Sequence, residues 1–173
     1  DPENIQYWMA FQMLLGNDDT QSRNMYLYSP QNSTKWYIIP WDNDSILMKN
    51  ERRLVSKDSD QANSWEVGVS NYWGNQLFQR LLKSKEFRKG LDEKMDELRK
   101  TITGDKITSM SNEYAAVIKP YLAKMPDQMH AKTTPDNYDK ILADLPNELE
   151  NNYKIYKTSL EKPQPFFINK PEV

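Results

Sequence analysis

The residues with the most distinctive chemistry are two aspartates and an asparagine near the start of the chain, Asp19, Asn24 and Asp42. Asn24 directly precedes the apolar segment at residues 25–28, and Asp42 follows a second apolar segment at residues 36–40. Carboxylate and amide oxygens, together with the oxygens of a substrate phosphate, are the ligands that Mg²⁺ takes in proteins. If the folded chain brings these three side chains together, they can hold a divalent cation beside a phosphate group.

A β-hairpin is the simplest element that would position them. The two apolar segments are rich in aromatic and β-branched residues, which favours strands. Residues 29–34 between them read SPQNST, a polar, proline-containing run that is typical of a turn. Because the start of the first strand lies beside the end of the second, the hairpin predicts that Asn24 lies next to Asp42. Asp19 would sit on the loop just before them.

The spacing from Asp19 to Asn24 is that of a protein-kinase catalytic loop. In such loops the aspartate receives the proton of the attacking hydroxyl, the asparagine holds a metal ion, and an aspartate from a following hairpin joins the metal to the phosphates. Asp42 is in the right place for that third role. However, aspartate and asparagine also cap helices and turns in many proteins. The residues alone therefore leave open both a catalytic site and a set of ordinary turns.

Three motifs follow one another over residues 5–44, namely LLGNDD, RNMYLY and WYIIPWDND. They resemble the patterns L-x-G-N-x-D, N-x-Y-L-Y and W-x-x-x-P-W-D-x-D of the spore-coat protein H (CotH) kinase family, whose members resemble protein kinases in fold. Residues 75–82 and 86–88 resemble the segment that follows the active site in this family. The resemblance extends over nearly the whole chain and is strongest over residues 5–44 and 75–100.

The resemblance implies an α+β, mostly α fold, a protein-kinase-like C-lobe in which a small β-hairpin carries the catalytic loop in front of a helical bundle. It implies an atypical Ser/Thr protein kinase that uses ATP and Mg²⁺ to phosphorylate coat or surface proteins, at the bacterial spore coat or elsewhere on the cell surface. Asp19 would be the catalytic residue, Asn24 and Asp42 would be metal ligands, and Asp44 would support the metal site.

A kinase also needs a nucleotide-binding lobe with a loop over the phosphates and a paired lysine. Only 18 residues precede Asp19, and none of them reads as a glycine-rich phosphate loop. We therefore expect residues 1–162 to be the C-terminal lobe of a longer kinase and residues 163–173 to form an extended tail. On this expectation the chain alone would not bind ATP normally and would be inactive.

Residues 49–74 are polar and irregular, and a loop of this length inside a compact domain is often functional. In a kinase this position holds the segment that activates the enzyme and recognises its substrate. The residues themselves favour a solvated loop pinned by its two tryptophans, whereas the functional alternative is a platform for a protein substrate. The candidate contact residues of the platform are Arg52, Arg53, Trp65, Tyr72 and Trp73.

Helical periodicity predicts five helices. The first begins near Pro2, with Asp1 as its cap, and ends at Gly16. We expect Pro146 to kink or split the last helix, because proline removes a backbone hydrogen bond inside a helix. The other four predicted segments are residues 75–82, 84–102, 107–120 and 135–160.

Composition narrows the possible functions. The chain has 173 residues, no cysteine and a formal charge of −2, which excludes a disulfide framework or a cysteine zinc site and gives no basic surface for nucleic acid. No apolar run approaches the ~20 residues of a membrane-spanning helix. His130 is the single histidine, so Ser–His–Asp chemistry is disfavoured.

Two other functions stay open at this stage. One is a non-catalytic assembly or interaction module of a spore coat or cell surface, which would make contacts through residues 61–74 and the pair Phe166 and Phe167. The other is a metal-dependent hydrolase with an acidic site, although the chain lacks the histidines that most such sites use. The oligomeric state and the identity of a protein substrate do not follow from the sequence.

Overall fold

The computed structural model describes residues 1–17, 20, 24–48, 75–131 and 133–161, with side chains as far as residue 158. This part of the chain has mostly helical structure and one small antiparallel sheet, which confirms the predicted α+β, mostly α class. The elements in chain order are α1 (Pro2–Leu15), β1 (Met25–Tyr28), β2 (Tyr37–Pro40), α2 (Gln76–Lys83), α3 (Lys85–Thr101), α4 (Gly104–Leu122), α5 (Asp127–His130) and α6 (Pro135–Glu161). The predicted tail, residues 163–173, lies outside the described residues.

Helix α1 begins and ends where the sequence predicts. The carboxylate of Asp1 accepts a hydrogen bond of 3.0 Å from the backbone N–H of Asn4, and Pro2 occupies the first turn. At the other end Gly16 adopts the left-handed conformation with φ of 65°, which glycine reaches without a side-chain clash. Both boundaries are set by local interactions, which explains why the sequence could predict them.

The hydrophobic core surrounds α1. The side chain of Trp8 stacks on Phe78 of α2 with ring centroids 5.4 Å apart. Leu91 of α3 and Tyr156 of α6 are completely buried in the same cluster. Because α1 packs against α3, α6 and β2, it joins the helical bundle to the hairpin. A displacement of α1 would therefore move the hairpin as well.

Two helices run through prolines that were expected to interrupt them. Helix α4 continues past Pro120 to Leu122, and α6 is one helix of 27 residues with Pro146 inside it. The last helix is therefore continuous at Pro146 rather than split, while the predicted kink stays a prediction. A proline removes one backbone hydrogen bond, and packing can offset that loss. Pro146 lies against the start of α4, where a methyl group added to Gly104 would be 3.3 Å from the Pro146 Cβ atom.

No helix in the described part of the chain is long and apolar enough to cross a membrane.

An ion-pair cluster joins α3 to α6. The ammonium of Lys157 lies 2.5 Å from a carboxylate oxygen of Asp92 and 3.0 Å from one of Asp96. The Tyr153 hydroxyl donates a 3.0 Å hydrogen bond to Asp96. Burial acts to raise the pKa of Asp96, but the hydrogen bonds from Lys157 and Tyr153 together lower that pKa below its usual value.

This cluster predicts an acid-dependent loss of stability. Because the pKa of Asp96 is lower in the folded chain than the value of about 3.9 expected when unfolded, its ionised form stabilises the fold above pH ~4. That stabilisation is lost as the pH falls through the folded-state pKa. We expect the free energy of unfolding of an Asp96→Asn variant, measured with urea from neutral pH to about pH 3, to fall less steeply with acid than that of the wild type. Asp105→Asn, which changes an exposed carboxylate on α4, is the matched control, and equal slopes for the wild type and Asp96→Asn would contradict the assignment.

Candidate active site

The hairpin forms as the sequence predicts. Strands β1 and β2 pair antiparallel, with Met25 opposite Pro40 and Tyr28 opposite Tyr37. Asn24 immediately precedes the first of these pairs, and Asp42 follows Pro40 by two residues. The register therefore puts the backbones of Asn24 and Asp42 at the same end of the hairpin, the end that faces away from the turn at residues 29–34.

A side chain from α1 holds β2 in place. Asn4 accepts a hydrogen bond of 2.7 Å from the backbone N–H of Ile38, and its amide donates one of 3.2 Å to the Ile38 carbonyl. Asn4 thus pairs with the outer edge of β2 as a neighbouring strand would. The Ile38 side chain is buried, 3% exposed, in the core cluster. The first turn of α1 therefore fixes the position of β2 along the helix. It thereby also fixes where the chain leaves β2, two residues before Asp42.

The last turn of α1 fixes the start of the predicted catalytic loop. The final four carbonyls of a helix have no partner within the helix itself. Here the backbone N–H of Asn17 donates to the Gln12 carbonyl at 2.9 Å and that of Gly16 to the Met13 carbonyl at 3.2 Å, which is the Schellman arrangement. The other two carbonyls, those of Leu14 and Leu15, accept from Asn152 Nδ2 at 3.2 Å and from the Leu47 backbone N–H at 2.7 Å.

Three amide side chains connect this helix end to the segment after β2. The Oδ1 atom of Asn43 accepts hydrogen bonds from Gln12 Nε2 at 3.0 Å and from Asn17 Nδ2 at 3.1 Å. We call Gln12, Asn17 and Asn43 the amide cluster. The sequence alone predicts no function for this cluster. One feature of the sequence could have indicated the cluster. Gln12 is a polar residue at a position of α1 where the helical pattern predicts a buried apolar side chain.

Three residues around this end of the hairpin have positive φ angles without being glycine. They are Asn24 at 56°, Asp42 at 53° and Leu47 at 51°. Asparagine and aspartate tolerate this conformation, but for leucine it is unfavourable and must be imposed by surrounding contacts. Two interactions hold Leu47 in this conformation. Its side chain is buried in the core, and its backbone N–H donates a hydrogen bond to the Leu15 carbonyl. Backbone strain of this kind is found most often at functional sites.

The described candidate ligands have exposures suited to binding. Asp42 and Asp44 are exposed, and Asn24 is half-buried. One carboxylate oxygen of Asp44 accepts a hydrogen bond of 3.3 Å from the Ser45 hydroxyl. The structure thus puts the backbones of Asn24 and Asp42 at the same end of the hairpin, with Asp44 in the turn that follows. The remaining predicted site residues, Asp19, Arg52, Arg53, Trp65, Tyr72 and Trp73, lie outside the described residues.

The donor set fits magnesium better than a transition metal. Among the residues that the structure describes, no three histidine, cysteine or acidic side chains form a group that could hold a metal ion. The candidate donors are the carboxylate of Asp42 and the side-chain amide of Asn24, both of which offer hard oxygen atoms. Mg²⁺ is typically held by one or two carboxylates together with substrate phosphates and water. A site with few protein ligands is therefore compatible with Mg²⁺ bound along with a nucleotide.

Comparison with protein-family models matches residues 1–156 of the chain to the family described as CotH kinase protein. The searches of curated proteins and of solved structures found no match. The matched residues include the hairpin, the amide cluster and all of the helices except the last turn of α6.

Proposed function

Because the chain belongs to the CotH kinase protein family, we propose that it is the C-terminal lobe of an atypical protein kinase. The full-length protein would transfer the γ-phosphoryl group of ATP to serine or threonine hydroxyls of a protein. The observation that carries this proposal is the hairpin register, which puts Asn24 and Asp42 at the same end. This is the arrangement in which an amide and a carboxylate can share one cation.

The proposed chemistry assigns a role to each residue of the site. The Asp19 carboxylate orients the substrate hydroxyl and receives its proton, as the catalytic aspartate of kinases does. The hydroxyl oxygen forms the new bond to the γ-phosphorus while the bond from that phosphorus to ADP breaks. Asn24 and Asp42 would hold Mg²⁺, whose charge stabilises the phosphate oxygens, and Asp44 would support the metal site from the following turn.

The proposal extends to the substrate and to the place of action. Residues 49–74 would form the platform that recognises the protein substrate, with the arginines and aromatic residues of this segment as its contacts. Under this proposal the protein acts on coat or surface proteins at the bacterial spore coat or at another cell-surface site. The nucleotide-binding lobe would be supplied by a longer parent protein.

Radiolabelled ATP tests the proposal. The full-length protein incubated with labelled ATP and Mg²⁺ should transfer label to itself or to an added surface protein, and hydrolysis of the product should yield phosphoserine or phosphothreonine. Removing the metal with EDTA should abolish transfer, because the proposed site needs the cation. If no label is transferred while Mg²⁺ and a range of candidate substrates are present, the kinase proposal is wrong.

A second candidate function, an assembly module, is favoured by an apolar stripe on α4. Four side chains at steps of three or four residues lie on one face of this helix and are between 41% and 66% exposed, namely Met110, Tyr114, Val117 and Tyr121. A stripe with this spacing is suited to contact another helix. The labelling experiment separates the two functions, because an assembly module would retain its contacts but transfer no label.

A further inference from the structure

The amide cluster buries polar groups that the fold does not require. Gln12 and Asn17 are both 0% exposed, and Gln12 lies in α1 between the buried Met9 and Met13. Burying an amide is unfavourable unless its hydrogen bonds are remade. Gln12 Nε2 donates to Asn43, but Gln12 Oε1 has no hydrogen-bond partner in the described part of the chain. Gln12 Oε1 therefore carries a desolvation cost that an apolar side chain of the same shape would not have, whereas Asn43 Oδ1 would keep its hydrogen bond from Asn17.

The position of Asn43 explains what these buried amides do. It lies between Asp42 and Asp44 in sequence, and its side chain turns inward to the cluster while its two acidic neighbours are exposed. Its Oδ1 atom is occupied by two N–H donors, so that atom is not a free metal ligand. One donor is on α1, which is fixed in the core, and the other is Asn17 at the start of the predicted catalytic loop.

We propose that Asn43 is a positioning residue of the phosphoryl-transfer site. Its amide oxygen joins the turn that carries Asp42 to Gln12 and Asn17 at the end of α1, so that this turn keeps one position relative to the helix. The inference depends on the proposed function, because it assigns Asp42 to the metal. Groups that orient metal ligands typically change metal affinity by about 10- to 100-fold when removed.

Three variants separate positioning from general stability. Asn43→Leu removes the acceptor, whereas Asn43→Asp keeps an oxygen that can accept both hydrogen bonds. Gln12→Met removes the buried donor and replaces it with an apolar side chain of similar shape. We expect Gln12→Met to leave the free energy of unfolding unchanged or higher and yet to weaken cation binding. A merely structural role would predict that stability and binding change together.

Cation binding can be measured on the full-length protein, with a non-hydrolysable ATP analogue present, by using Tb³⁺, which prefers hard oxygen ligands and emits when excited through a nearby indole. Trp41 directly precedes Asp42 and is 55% exposed, so it is the natural sensitiser, and Trp41→Phe shows how much of the emission it supplies. We expect Asn43→Leu to weaken Tb³⁺ binding by about 10-fold or more. Asn43→Asp should bind at least as tightly as the wild type. The full-length kinase should need correspondingly more Mg²⁺ for half-maximal rate when it carries Asn43→Leu, and excess Mg²⁺ should restore much of its kcat.

The Tb³⁺ measurements test the metal site and the positioning role of Asn43 separately. If the wild type shows Trp41-dependent Tb³⁺ emission that Asp42→Asn abolishes, and Asn43→Leu binds equally well, the positioning role is overturned while the metal site stands. If the wild type shows no such emission, the metal site itself is wrong and the positioning role fails with it. Should Asn43→Leu not fold, Gln12→Met gives the same test, and unchanged Tb³⁺ affinity in that variant would overturn the proposal.

Discussion

Replacing Asp42 with asparagine in the full-length protein should lower the rate of phosphoryl transfer by on the order of 10²–10³-fold. Asp42 supplies the carboxylate that we propose as a ligand of Mg²⁺. Without its negative charge the cation is held less tightly, so the charge on the transferring phosphate is stabilised less. Asparagine is preferred to alanine here because Asp42 has a φ of 53°, a conformation that asparagine also tolerates. The variant should therefore keep the stability of the wild type. Initial rates of label transfer and the thermal unfolding midpoint are the two measurements.

The matched control is Asp127→Asn, which removes an exposed carboxylate from α5 rather than from the hairpin end. Its transfer rate should equal that of the wild type. A rate for Asp42→Asn within a factor of about three of wild type, far below the expected loss, would remove Asp42 from the metal site. A large loss of stability in Asp42→Asn would show instead that the side chain has a structural role.

The parts of the site that the sequence predicted are those set by local signals. The turn at residues 29–34 and the apolar segments on either side of it specify the hairpin, and its register puts the backbones of Asn24 and Asp42 at the same end. Similarly, Asp1 with Pro2 starts α1, and Gly16 ends it. In each case the determining residues form one continuous stretch of sequence, so the pattern could be recognised without the fold.

The parts that the sequence did not predict depend on contacts between distant segments. Gln12 and Asn43 are 31 residues apart, and Asn152 reaches Leu14 across 138 residues. A glutamine inside a helical pattern gives no indication of which residue will face it. The continuity of α6 at Pro146 has the same origin, because the cost of an interior proline is local while the packing that offsets it comes from α4. Periodicity predicted the helix at α4 but not that its apolar stripe would be exposed.

Gly16→Ala should destabilise the fold by about 2–5 kcal/mol, for two separate reasons. Gly16 has a φ of 65°, which costs an alanine about 1–2 kcal/mol. In addition, the new Cβ atom would be 2.6 Å from Asn152 Nδ2, so Asn152 must move. That movement breaks its buried hydrogen bond to the Leu14 carbonyl, and an unsatisfied buried group costs about 1–3 kcal/mol. Urea unfolding followed by circular dichroism measures the change.

Two comparisons isolate these causes. Gly104→Ala is the matched control, because Gly104 lies in α4 with no positive φ and its added methyl group would be 3.3 Å from Pro146 Cβ. Its stability should change by less than about 1 kcal/mol. In a double-mutant cycle, Asn152→Ala removes the same hydrogen bond that Gly16→Ala breaks, so the double variant should lose less than the sum of the single losses. Additive losses would mean that the clash with Asn152 is not part of the cost, and that only the backbone conformation of Gly16 requires glycine.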